Sequence, residues 1–353
     1  MRVYYILFLV LQAVVLIEAA EPPGKINWTL HKSCYRNQDD TADDNDLAKA
    51  IVDTVNTVKA WAKRASDKLS DSFSSNLLKG KATKEAMIPL IGEKGYKDKA
   101  KEIRDKIRDL GRLTGPIGED GGDGKKYDQS DAWGTLANSD THWQDFLIVC
   151  RPELTTAKDY FGVLDVPFDV VRKNALQSNR DFEKMLNEAK TIAKWEDLKN
   201  SRIQAITMRD IPGPPEGDRT RIPETITFHP LWLKYQRDRN WNGWTEEMFN
   251  KVTAKDALEV FKKKGQEIGF DARPVDALLD SSFTRNMFHE MFHLSAFGGM
   301  GDDWNGAYGW ADNVKNKNTN NPDYFAIIAV VIELLNREGG RYKVSADGAV
   351  SRR

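Results

Sequence analysis

The chain has 353 residues, with 52 Lys and Arg against 53 Asp and Glu, for a net charge of −1. That balance gives no broad basic field of the kind nucleic-acid binding uses. The length suits one large domain or two small ones. Met1–Ala20 places Arg2 before an apolar run that ends in small residues, which reads as a secretory signal peptide cleaved after Ala19 or Ala20. The alternative is a signal anchor, for which the apolar run Tyr4–Ile17 is short. A secreted setting makes Asn27, in the Asn27-Trp28-Thr29 sequon, usable for glycosylation. It also favours one long-range disulfide between Cys34 and Cys150, although nothing in the sequence shows that they meet.

Asp39–Asp46 is an acidic lead-in to a helix over Leu47–Leu69, whose stripe is Ile51, Val55, Val58, Ala62 and Ala65. The spacing predicts a second helix over Lys99–Leu113, with Ile103, Ile107 and Leu110 inside and a solvated charged face. Gly115–Gly124 is a glycine-rich loop with no GKS or GKT after it, so it is no phosphate cradle. Lys125-Lys126 offers a processing site. A strand is expected within His142–Arg151 and a helix over Asp181–Lys199. Ile211–Gly217 is a breaker between a helical N-terminal region, residues 21–205, and a catalytic region, residues 206–344, with a tail over 345–353. The N-terminal region is either part of the catalytic domain or a removable prosegment. Thr225–Phe228 reads as a short strand ended by His229-Pro230, and Thr253–Ile268 as a helix. Tyr324–Leu335 is the most apolar later segment, but it is short and contains Glu333, so it reads as a buried helix rather than a membrane span.

His289-Glu290-Met291-Phe292-His293 carries the chemistry. On a helix, residues four apart leave the same face, so both imidazoles reach one metal ion with the glutamate beside it as a general base. Ser281 or Ser282 can cap this helix, and Gly298-Gly299 ends it. A catalytic zinc wants a third protein ligand and an open position. A third histidine of the HExxHxxGxxH type needs glycine at 296 and histidine at 299, where the chain has Ala296 and Gly299. No histidine or glutamate occurs from Leu294 to Ile332, leaving Asp302, Asp303, Asp312 and Asp323. His31, His142 and His229 are isolated and read as surface or core histidines. Trp232, Trp241 and Trp244 read as packing or a cleft wall.

His289-Glu290-x-x-His293, then Gly298-Gly299-x-x-Asp302-Asp303, then Tyr308-Gly309-Trp310 and Asn321-Pro322-Asp323-Tyr324-Phe325-Ala326 together resemble the aspzincin metalloendopeptidases. These are the deuterolysins and fungal peptidyl-Lys metalloendopeptidases. The likeness spans about residues 280–335. Upstream, Thr225–Pro230 resembles the strand before the family's active-site helix, and Ser33-Cys34 the start of its catalytic domain. The family's GTxDxxYG segment places Tyr three residues after the ligand Asp. Here Tyr308 is five after Asp303 and six after Asp302, and the family Thr is absent; an insertion within Trp304–Ala307 reconciles the patterns.

The resemblance implies one catalytic zinc ion on His289, His293 and Asp303, with Asp302 as the alternative third ligand. It implies that Glu290 activates the metal-bound water and that Tyr308 stabilises the oxyanion. It places Asp323 near the pocket for the residue after the cut, favouring Lys or Arg there; the other reading of Asp323 is an N-cap for the helix starting near Pro322.

The expected fold is α+β and mostly helical, zincin-like, with a small sheet packed on the active-site helix. The expected function is a secreted, monomeric zinc endopeptidase acting on protein and peptide substrates, with no nucleic-acid partner and no membrane after signal cleavage. A second reading is a catalytically degenerate zincin fold that binds a partner or acts as an effector, supported by the altered spacing before Tyr308. A third is a helical structural protein with an accidental motif, which predicts no zinc.

Overall fold

A computed structural model describes residues 24–35, 45–74, 80–116, 146–150, 180–198, 203–208, 224–241, 243–267, 269–301 and 308–352. Over these residues the chain is α+β and mostly helical, with a small mixed sheet. The signal-peptide segment, His142, Lys125-Lys126, the Ile211–Gly217 breaker and the Asp302-Asp303 doublet lie outside them.

The main sheet contains β1 (Ile26–Leu30), β2 (Leu113–Pro116), β3 (Phe146–Val149), β4 (Ala205–Met208) and β5 (Glu224–Phe228). Its order is β2-β1-β3-β5-β4, all parallel except β4, which runs antiparallel to β5 at the edge. Phe-Leu-Ile-Val in β3 and Glu-Thr-Ile-Thr-Phe in β5 are buried at every position. That is the pattern of parallel strands covered on both faces.

The helices are α1 (Asn45–Ser72), α2 (Lys81–Ile91), α3 (Tyr96–Arg108), α4 (Arg180–Thr191), α5 (Pro230–Asp238) and α6 (Glu246–Val252). They continue with α7 (Ala257–Glu267), α8 (Pro274–Ser281), α9 (Phe283–His293), α10 (Gly309–Asn316) and α11 (Pro322–Asn336). A C-terminal hairpin pairs β6 (Tyr342–Val344) with β7 (Val350–Arg352).

The metal-motif helix α9 packs against α1 and α11. Phe292 stacks on Phe325 of α11 with ring centroids 4.6 Å apart, and Phe283 meets Phe228 of β5 at 5.0 Å. One contiguous apolar core runs from β1 through α1, α9 and α11. The expected stripe of α1 is buried at Ile51, Val55, Val58, Ala62 and Ala65. Pro322–Leu335 is buried throughout, and no described helix is long and apolar enough to cross a membrane.

Several expectations change. The helix expected over Lys99–Leu113 stops at Arg108; a 3-10 turn follows at Asp109–Arg112, and Leu113 opens β2 by pairing with Ile26. The Asp181–Lys199 helix ends at Thr191, before a 3-10 turn at Trp195–Asp197. Thr253 caps the C-terminus of α6, so the Thr253–Ile268 helix starts later, at Ala257. The boundary placed at residue 206 cuts through β4, and three of the five strands precede it. Arg112, from the N-terminal region, donates to the Ala296 carbonyl just past α9. The two regions therefore share one sheet and one core. The tail over 345–353 is not a tail: residues 350–352 form β7, and Trp310 Nε1 donates to the Ala346 carbonyl at 3.1 Å.

Cys34 and Cys150 form a disulfide, with Cα atoms 5.0 Å apart. Both follow the C-terminal ends of neighbouring parallel strands, since β1 and β3 pair with Leu30 opposite Ile148. Asn27 lies half-buried inside β1, between β2 and β3, rather than on a loop.

Candidate metal centre

Ser282 is the N-cap of α9, its side chain accepting from the Arg285 N–H at 3.1 Å; Ser281 belongs to α8. The helix closes through a 3-10 turn at Ser295–Phe297, after which Gly298 (φ 118°) and Gly299 (φ 55°) adopt left-handed backbone. Glu224 at the start of β5 fixes this turn by accepting the Ser295 N–H at 2.8 Å. The reversal brings the Met300 carbonyl to 3.0 Å from His293 Nδ1. A carbonyl only accepts, so Nδ1 carries the proton and Nε2 presents its lone pair.

His289 Nε2 faces that atom at 3.2 Å. Two nitrogens at about 2.0–2.1 Å on a tetrahedral zinc lie about 3.3 Å apart, so the pair is already at ligand spacing. His289, Glu290 and His293 are all buried, with ligand atoms within 4.8 Å of one another. Burial, then the Arg285 charge, then His293 hold the His289 pKa well below its usual value. A neutral imidazole is the form a metal requires. These residues fit a zinc ion on the chemistry of their donors.

Glu290 is oriented by a residue that the sequence did not flag. Thr207, on the edge strand β4, donates its hydroxyl to Glu290 Oε2 at 2.7 Å and lies 3.1 Å from the Glu290 carbonyl. Tyr308 is 46% exposed, and its ring lies nearly parallel to His289 with centroids 6.2 Å apart. The backbone of the two residues after it is held by two buried carboxylates. Asp323 accepts the Gly309 N–H at 2.8 Å and Asp276 accepts the Trp310 N–H at 2.7 Å. Burial raises Asp276 to a pKa of about 7 despite its two backbone donors, Trp310 and Arg273. Gly309 (φ 78°) is needed here, because a Cβ would sit 2.6 Å from Phe270 Cζ.

The three motif residues and Tyr308 thus share one cleft of about 630 Å³, walled by β4, α8 and α9. Trp232 lines it; Trp241 and Trp244 pack against the core. His31 and His229 are core residues: His31 Nδ1 lies 2.9 Å from Ser33 Oγ, and His229 caps α5.

Asp323 departs from both readings made of it. Asn321 is the N-cap of α11, accepting the Asp323 N–H at 2.9 Å. The Asp323 carboxylate is 0% exposed and paired with Arg285, and it does not line the cleft. Its charge is already met inside the core, so it offers no counterion to a basic substrate side chain. Arg285 sits one turn before His289 on the same helix face, a spacing from which sequence reasoning could have found it.

No family model, no curated protein and no solved structure matches this chain.

Proposed function

We propose that this chain is a secreted zinc-dependent endopeptidase of zincin-like architecture. The observation that carries the proposal is the pair of buried imidazole nitrogens facing each other at 3.2 Å beside the Glu290 carboxylate. His289 and His293 would hold the zinc, and the third ligand is assigned to Asp303, with Asp302 the alternative. Both follow within three residues of Met300, whose carbonyl already touches His293. When bound, zinc polarises the scissile carbonyl and makes a water molecule acidic enough to lose a proton near neutral pH. Glu290, held by Thr207, takes that proton and passes it to the leaving amine. The Tyr308 hydroxyl donates to the oxygen on which negative charge develops.

The substrate is an extended peptide. Among the described residues β4 pairs only with β5, and its residues 205–207 line the cleft. An open strand edge beside the site supplies main-chain donors and acceptors in register with a peptide backbone.

The test is metal analysis of the purified protein together with casein hydrolysis. The expected result is one zinc per chain and cleavage that a chelator abolishes and added zinc restores. Glu290→Gln should retain the zinc while hydrolysis falls about 10²–10⁴-fold. Zinc without cleavage supports a non-catalytic binding protein instead. Absence of zinc from the folded chain rejects both.

A further inference from the structure

We infer that Arg285 and Asp323 form a positioning pair that aims His289 at the metal and ties it to the Tyr308 segment; this rests on the function proposed above. A single carboxylate makes both connections. Asp323 Oδ2 accepts from Gly309 N at 2.8 Å and from Asn313 Nδ2 at 2.9 Å, which fixes the start of α10 directly after Tyr308. Asp323 Oδ1 pairs with Arg285 and lies 3.8 Å from His289 Nδ1. That separation is longer than a hydrogen bond, so Asp323 acts on His289 through its charge and packing: a carboxylate behind Nδ1 favours Nε2 as the nitrogen turned to a metal.

Core packing alone does not explain the pair. A buried ion pair is often no more stabilising than apolar residues of the same volume. This one stands where α9, α10 and α11 meet, immediately behind a motif histidine. Arg285 offsets a carboxylate that would otherwise be buried as a lone charge. It approaches from the preceding turn of α9, so carboxylate and imidazole are referenced to one rigid helix. The Met300 carbonyl does the same service for His293. His293 thus has a main-chain oxygen hydrogen-bonded behind it, and His289 a carboxylate 3.8 Å behind it.

Three measurements test the pair. In Asp323→Asn, and in the charge-neutral double variant Arg285→Met with Asp323→Asn, the zinc dissociation constant should rise about 10–100-fold against a competing chelator. Circular dichroism checks that the variants fold, and their kcat should fall with KM little changed. A folded variant that holds zinc within about threefold of wild type overturns the inference. If both variants fail to fold, the pair is a strut of the core and the positioning role is withdrawn. A wild-type chain that binds no zinc removes the proposed function itself, a separate outcome from zinc bound equally well by wild type and variants.

Discussion

Thr207→Val isolates the contribution of the edge strand to the base. Valine matches threonine in shape and suits a strand, so β4 should keep its register opposite Thr225–Phe228. What is lost is one hydroxyl donor, 2.7 Å from Glu290 Oε2. A hydrogen bond to a charged group is worth about 1.5–3 kcal/mol. Glu290 lines the cleft, where water can replace part of the lost donor, so the lower half of that range applies. A loss of about 1.5–2 kcal/mol in the transition state is about 10–30-fold in kcat. The zinc content and KM should be unchanged, because Thr207 is not among the metal donors and the substitution leaves the main chain of β4 intact. Thr207→Ser should return most of the rate. The assay is steady-state hydrolysis of a quenched fluorescent peptide by zinc-loaded protein, with metal content measured on the same samples. A Val variant within about twofold of the wild-type kcat, or a Ser variant as slow as Val, would refute the reasoning.

The other predictions concern stability and geometry. Burial raises Asp276 from 3.8 to about 7, so the stability it contributes is complete below pH 3.8 and lost as pH rises through 7. Burial lowers His229 from 6.5 to about 4; its contribution is complete above pH 6.5 and lost as pH falls through 4. Between pH 4 and 6.5 the two oppose each other. Asp276→Asn should therefore steepen the loss of melting temperature on acidification and His229→Asn should reverse it; parallel profiles for both variants and wild type would contradict the assignment. Replacing Cys34 and Cys150 together by alanine opens a cross-link spanning 116 residues, which the chain-entropy relation values at about 5 kcal/mol. The urea midpoint should fall accordingly, and an unchanged midpoint would mean the cross-link is not formed. Gly309→Ala forces a left-handed residue to carry a Cβ against Phe270 and should cost about 1–2 kcal/mol from the backbone alone. It should slow hydrolysis without releasing zinc; wild-type rate and melting temperature would show that the Tyr308 segment is not held as described.

The features legible in the sequence are those written in local spacing. The stripe of α1, the serine cap of α9, the double-glycine reversal and the apolar run of α11 each follow from neighbours within a few positions. The strand at Thr225–Phe228 was legible for the same reason, while β1 and β4 were not. Their strand character comes from partners distant in sequence, with Ile26 of β1 opposite Leu113 and Ala205 of β4 opposite Phe228. Helix α3 carries a helical pattern to Leu113, but Leu113 is claimed by pairing with Ile26. At the centre, His289, Glu290 and His293 announce themselves by period. Thr207 does not, because it lies 83 residues from the glutamate it orients. Asp323 was visible as an acidic residue near a helix start, but only the fold shows Arg285 against it.

The sharing of one sheet between the two halves of the chain limits how such a protein could be switched on. Cutting away everything before residue 206 would take β1, β2 and β3 with it and uncover the face of α9 that rests on α1. Maturation by shedding that half would leave a metal helix with its apolar back in water. If the proposed activity holds, restraint on it would come from the supply of metal or from something seated in the cleft rather than from shedding that half.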